Sequence, residues 1–187
     1  MDTPIRIETP LSEELVLRLK AGDRVLIRGA IFAARDAAHK RLVQLIREGR
    51  ELPFDLQGNV VYYVGPAPPK PGMAEGSAGP TSSYRMDPYT PALLERGLKG
   101  MIGKGQRGAE VVRAMAANRA VYFAATGGAG ALLSKTMKAS TVIAYADLGP
   151  EAIRRITVAD FPAIVVNDCH GNDLYRQGRA PYEERTE

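Results

Sequence analysis

The chain has 187 residues, 45% of them apolar and 25% charged, with 25 basic residues against 21 acidic ones. That length suits one domain spanning 1–187. The composition is that of a globular protein without the roughly 20-residue apolar run of a membrane span. The net charge of +4 is scattered, with no basic stripe and no Trp, so neither nucleic acid nor a membrane is an expected partner.

Hydrophobic periodicity gives short strands alternating with helices, the pattern of an α/β domain. Ile5–Glu8 reads as an opening strand, and Ser12 as the N-cap of a helix over residues 13–20, with Glu13 and Glu14 in its first turn. Residues 24–32 form a buried strand, and residues 36–47 a helix with Ala38, Leu42, Leu45 and Ile46 on one face. Residues 60–64 form another strand. The Pro/Gly-rich segment 65–80, GPAPPKPGMAEGSAGP, cannot continue it and reads as a long functional loop.

Downstream, the pattern predicts a short helix over 90–96, a strand over 100–102, a helix over 108–118 and a strand over 121–124. The TGGAG turn at 126–130 is expected to open a helix reaching about Met137. Strands are expected at 142–145 and 164–166.

The sole thiol is Cys169, and His39 and His170 are the only histidines. Structural zinc and iron–sulfur sites need three or four ligands, so no metal centre is expected from this chain alone. The opening MDTPIRIETP has no signal-peptide pattern, which makes a cytoplasmic location the expectation.

Three basic residues occupy junctions where a strand gives way to a helix or loop, the place where α/β domains bind ligands. Arg35 stands at the mouth of a helix, whose dipole favours an anion. Arg85 lies in GPTSSYRMD after the Pro/Gly loop, and Lys104 lies between Gly103 and Gly105. Together they suit a dianionic substrate. Thr81, Ser82 and Ser83 add hydroxyls that could equally be turn or cap residues. Asp36 and His39 are expected to orient neighbours through hydrogen bonds or to cap the helix, and His170 to sit in a turn.

Residues 103–108, GKGQRG, satisfy G-x-G-x-x-G between a strand and a helix, but no acidic residue follows Glu110 until Asp147. A dinucleotide site would place one about 20 positions on, to hold the ribose. A non-catalytic anion- or nucleotide-binding module is thus the competing reading.

The segments GAIFAARDAAHKR, GPTSSYRMDPYTPALLERGLKGMIGKG, AATGGAGALL and YADLGPEAIRRITVADFPAIVVNDCHGND resemble the C-terminal β domain of class I fumarases and the β subunit of two-subunit fumarases and L-tartrate dehydratases. The resemblance implies a swivelling β/β/α fold with a mixed sheet flanked by helices. It implies a hydro-lyase, fumarate hydratase ahead of tartrate dehydratase. It also implies a 4Fe-4S cluster carried by a cysteine-bearing α subunit, in an α2β2 assembly inactive without that partner. Carried onto matching positions, it makes Arg35, Arg85 and Lys104 the binders of substrate carboxylates and Thr81 the proton-transfer residue. TSSYR departs from the family's TTxGR-like pattern at Tyr84, which could reshape the pocket or fill space behind the turn.

Overall fold

The computed structural model describes residues 3–183. Its strands are β1 (Ile5–Glu8), β2 (Arg24–Ala33), β3 (Val60–Tyr62), β4 (Gly100–Gly103), β5 (Val121–Ala124), β6 (Met137–Ala144) and β7 (Ile153–Asn167). The helices are α1 (Glu13–Arg18), α2 (Asp36–Arg47), α3 (Thr90–Leu94), α4 (Ala109–Ala117), α5 (Gly130–Leu133) and α6 (Leu174–Gln177). All seven strands belong to one mixed sheet ordered β1-β2-β3-β4-β5-β7-β6, and a further β2–β7 pairing closes it into a barrel-like ring. The α/β class and the mixed sheet flanked by helices agree with the sequence.

Strands β1 to β5 run parallel, while β7 runs antiparallel to β2, β5 and β6. Closure depends on the 15 residues of β7, whose two halves meet different partners. Its first half pairs with β6 and the C-terminal half of β2, and its second half with the start of β2 and with β5. Midway, the β2–β7 register shifts between Ile27 and Gly29. There Gly29 (φ 109°) faces the neighbourhood of Asp160 (φ 53°), so both strands bend where the ladder slips. A side chain on Gly29 would meet the backbone oxygen of Thr9 at 2.9 Å, so the bend also needs the missing Cβ.

Two expectations are corrected here. The helix opened by TGGAG does not reach Met137: α5 spans four residues, a 3-10 turn covers Ser134–Thr136, and Met137 already begins β6. The strands expected at 142–145 and 164–166 are the ends of longer ones. In both cases cross-strand pairing overrides local propensity, and the β7 bulge interrupts the period-2 pattern.

Side chains alternate between two buried layers. Val60, Tyr62, Ile102 and Phe123 pack inside the ring with Val25, Ile27, Phe161 and Val165. Val61, Tyr63, Met101 and Tyr122 point outward, beneath Leu42 of α2, Leu93 of α3 and Met115 of α4. A strand buried on both faces reads as an unbroken apolar run, which is why VVYYV at 60–64 has no polar alternation.

Candidate active site

Because β2 to β5 are parallel, their carboxyl ends gather at one end of the ring, and the segments leaving them carry the candidate residues. Arg35 follows β2, and Lys104 follows β4. Thr81 comes back beside the end of β3: its N–H donates to the Tyr63 carbonyl at 2.8 Å, and its carbonyl accepts from Lys104 N–H at 3.3 Å. Ser83 N–H donates to the Lys104 carbonyl at 2.9 Å, and Ser82 bridges Lys104 in parallel. Thr81 and Lys104 are therefore held side by side by direct backbone hydrogen bonds. Among the described residues no carboxylate pairs with the exposed Lys104 ammonium, and nothing hydrogen-bonds the half-buried Thr81 hydroxyl.

Arg35 and Arg85 are drawn together by one carboxylate. Arg85 Nε lies 2.9 Å from Asp36 Oδ1, and Arg35 Nε lies 3.9 Å from Asp36 Oδ2. Glu151 holds Arg35 from the other side, its Oε1 3.4 Å from Nη2, while its Oε2 accepts from Ala37 N–H in the first turn of α2. Arg35 Nε and Asp36 Oδ2 are buried yet make no hydrogen bond among the described residues, so both retain capacity for another polar partner. Gly65 passes close by; a Cβ there would stand 3.0 Å from Arg35 Nη1.

Arg35 does not join α2 as a helical residue. It is the extended N-cap residue, and its carbonyl receives two bonds from His39, the helical N–H and ring Nδ1, each at 2.8 Å. A carbonyl only accepts, so Nδ1 carries the proton. The other ring nitrogen, Nε2, is buried without a partner among the described residues. Burial, reinforced by the positive charge of Arg107, lowers the His39 pKa to about 4, against the raising effects of the Arg35 carbonyl and Asp36. The imidazole is neutral at pH 7 and props the backbone of Arg35.

Arg107, Asp87, Tyr122, Glu75 and Glu151 carry no pattern in the sequence that marks them, yet each makes a side-chain bond near the candidate residues or their loop. The Arg107 side chain is fully buried, with Nε 2.8 Å from Asp87 Oδ1, Nη2 2.7 Å from Thr90 Oγ1 and Nη1 3.2 Å from the Tyr63 hydroxyl. Its guanidinium carbon lies over both the Tyr63 and Tyr122 rings, 5.4 and 5.1 Å from their centroids. In sequence Arg107 is one of 25 basic residues; the only hint was its place in the same Gly-rich turn as Lys104. That turn is not built for a dinucleotide. The N-terminus of α4, where a pyrophosphate would sit, receives Asp87, whose Oδ2 accepts from Gly108 N–H at 2.7 Å.

The 65–80 loop is tied down at several points. Tyr62 donates its hydroxyl hydrogen to the Ala78 carbonyl at 2.6 Å, and Ala78 N–H donates to Gly130. Glu75 is buried against Ser140 and Arg154 of the β6–β7 hairpin. Residues 67–73 form the exposed tip. Tyr84 is 67% exposed, which removes the alternative that it fills space behind the turn.

Cys169 is no ligand candidate: its thiol is buried, donates towards the Val16 carbonyl at 3.5 Å, and has its pKa raised chiefly by burial. Among the described residues, no group of three or more His, Cys, Asp or Glu side chains could hold a metal ion. His170 lies in the expected turn, its Nε2 3.0 Å from the Leu17 carbonyl.

Residues 2–178 match the sequence profile of the fumarase C-terminus. The chain belongs to this family. Fumarate hydratase 2 of Leishmania major is 38% identical over 156 residues, covering 82% of this chain and 28% of that protein. The anaerobic class I fumarate hydratase of Escherichia coli K12 is 36% identical over 177 residues, 92% of this chain and 32% of its own length. A Methanocaldococcus jannaschii protein named for the L(+)-tartrate dehydratase subunit beta is 34% identical over 184 residues, covering 95% of this chain and 94% of that one. The chain thus spans about a third of the fumarate hydratases it matches and nearly all of the subunit-sized relative. The resemblance drawn from the sequence motifs is confirmed at family level. The members of the fumarase C-terminus family named here are hydro-lyases by name.

Proposed function

We propose that this chain is the β part of a class I hydro-lyase and supplies the carboxylate-gripping half of a shared active site for reversible hydration of fumarate to malate. One observation supports the reading: in a chain of this family, Thr81 and Lys104 are joined by backbone bonds and Arg35 and Arg85 share Asp36, all on segments that follow parallel strands β2, β3 and β4. Two guanidiniums can each grip a carboxylate in bidentate fashion, and Lys104 adds a point charge. Asp36 and Glu151 pre-orient Arg35 and Arg85, and His39 fixes the Arg35 backbone. In the dehydration direction Thr81 acts as its alkoxide, a form the neighbouring Lys104 ammonium favours: it takes the proton from the carbon beside the one bearing the hydroxyl and becomes the neutral hydroxyl, the C–H pair forms the double bond, and the C–O bond breaks with its pair leaving on the hydroxide.

The single buried thiol cannot hold a cluster, so the 4Fe-4S group belongs to a cysteine-bearing α subunit, in an α2β2 assembly. When bound there, it supplies the Lewis acid for the substrate hydroxyl. No helix among the described residues is long and apolar enough to cross a membrane, and the reducing cytoplasm suits both a lone free thiol and an iron–sulfur cluster. The swivelling β/β/α arrangement, in which this one domain moves against the cluster-bearing part, fits a half-site that faces outward. The tartrate dehydratase reading stays beside the fumarase reading because a relative matching almost end to end carries that name.

Co-expression with an α-type partner tests the proposal. Hydration or dehydration activity should appear only in the assembled pair, and Arg85→Ala should cost it about 2–3 kcal/mol of transition-state stabilisation, or roughly 30- to 150-fold in kcat/KM. Full activity of the isolated chain, or an unchanged rate in the variant, would refute it. Parallel assays on malate and both tartrate enantiomers decide the substrate.

A further inference from the structure

Thr81, Arg85 and Lys104 sit on two separate stretches of chain, 81–90 and 103–108, and substrate positioning needs a fixed distance between them. Backbone bonds join these stretches at Thr81, Ser83 and Lys104. Beyond that ladder, the two are cross-linked by side chains beneath the site. Arg107 reaches from the second stretch to Asp87 and Thr90 of the first, and Asp87 returns a bond to Gly108 N–H. Tyr122, from β5, adds a parallel link: its hydroxyl donates to the Gly105 carbonyl at 2.9 Å and lies 2.8 Å from Ser83 Oγ. Arg107 also holds Tyr63, whose carbonyl receives Thr81 N–H.

A buried guanidinium with a single carboxylate partner is a costly way to fill a core. An apolar side chain of similar volume would often serve stability as well or better. What the planar fork does that an apolar residue cannot is hold three acceptors in fixed directions at once. We propose that Arg107 is a positioning residue of the site: it does not touch substrate, but sets the register of the Thr81–Arg85 stretch against Lys104 so that the two grip one dicarboxylate together. This rests on the functional reading above. It predicts that loosening Arg107 misplaces binding groups as well as weakening the core, and a misplacement near 1 Å costs about 100-fold in catalysis.

The test uses the co-assembled enzyme. Arg107→Lys keeps the cation and removes the fork. Thr90→Val keeps the shape and removes the Nη2 acceptor together with that hydroxyl's bond to the Met86 carbonyl within its own helical turn; it decides the matter where Arg107→Lys fails to assemble. Both are assayed well below their melting temperatures beside Lys104→Ala. The expected result is a rise in KM for the dicarboxylate, about 10- to 100-fold for Arg107→Lys and severalfold for Thr90→Val, in enzyme that remains folded by circular dichroism. If the assembled variants keep the wild-type KM and lose only the amount of active enzyme, Arg107 is a core residue and the positioning proposal is overturned. Lys104→Ala separates the two failures. A raised KM there, with the Arg107 and Thr90 variants silent, sinks positioning alone; an unchanged KM there removes the site reading and the proposal with it.

Discussion

His39 should give the protein a stability that depends on pH. Its pKa in the folded chain is about 4, against an ordinary 6.5, because the ring is wholly buried and a second proton on Nε2 would have no acceptor. Tyr63 meets it edge-on, Tyr89 lies tilted nearby, and Asp36 and Arg107 are the charges it feels. Between pH 6.5 and 4 the unfolded chain binds this proton and the folded chain does not, so stability is complete above 6.5 and falls as pH drops towards 4. A difference of 2.5 pH units corresponds to roughly 3 kcal/mol in total, of which about 2 kcal/mol is lost between pH 7 and 4.5. Urea unfolding at those two pH values measures it, with His39→Gln as the comparison because glutamine keeps a donor for the Arg35 carbonyl and cannot titrate. The variant should lose about 2 kcal/mol less than wild type over that interval. An identical pH dependence in the two proteins would show that His39 is not held neutral, and with it that the ring is not the fixed prop of Arg35.

Two further outcomes follow from the packing around the site. In Gly103→Ala the new methyl would stand 2.9 Å from Tyr63 Cδ2 and press on Ser83 Oγ, costing about 1–3 kcal/mol, read as a lowered Tm; a melt within 0.5 kcal/mol of wild type would mean that β4 and the Ser83 turn have room that the geometry denies them. Glu75→Gln removes the charge that pins the 65–80 loop to Arg154 and should cost about 1–3 kcal/mol. Faster limited proteolysis within 67–73 is the accompanying readout, and unchanged cleavage would show that the backbone ties at Ala67, Gly76 and Ala78 hold the loop unaided.

Local signals located much of the fold. The 36–47 helix and the 121–124 strand have the expected bounds, and Ser12 caps α1 by accepting from Leu15 N–H at 3.2 Å. These elements are written in short-range pattern: a 3.6-residue apolar period, a hydroxyl at the N-cap, a short apolar run. Arg35 and Lys104 do follow strands directly, as their place in the order of elements indicates, whereas Arg85 lies within the 3-10 turn Ser83–Met86, well past the end of β3.

What the sequence by itself determined is the alternation of strands and helices, the shortage of metal ligands, and the family motifs that carry the basic residues and Thr81. Only the tertiary structure decided that Asp36 lies between two arginines, that Glu151 arrives from more than a hundred residues away to hold one of them, and that Arg107 is buried while Lys104 is exposed. The reason is one of range. Helix periods and caps are set by neighbours within a turn or two, whereas a charge's partner is chosen by which distant strands the ring brings together, and no local pattern distinguishes a solvated arginine from one buried over two tyrosine rings.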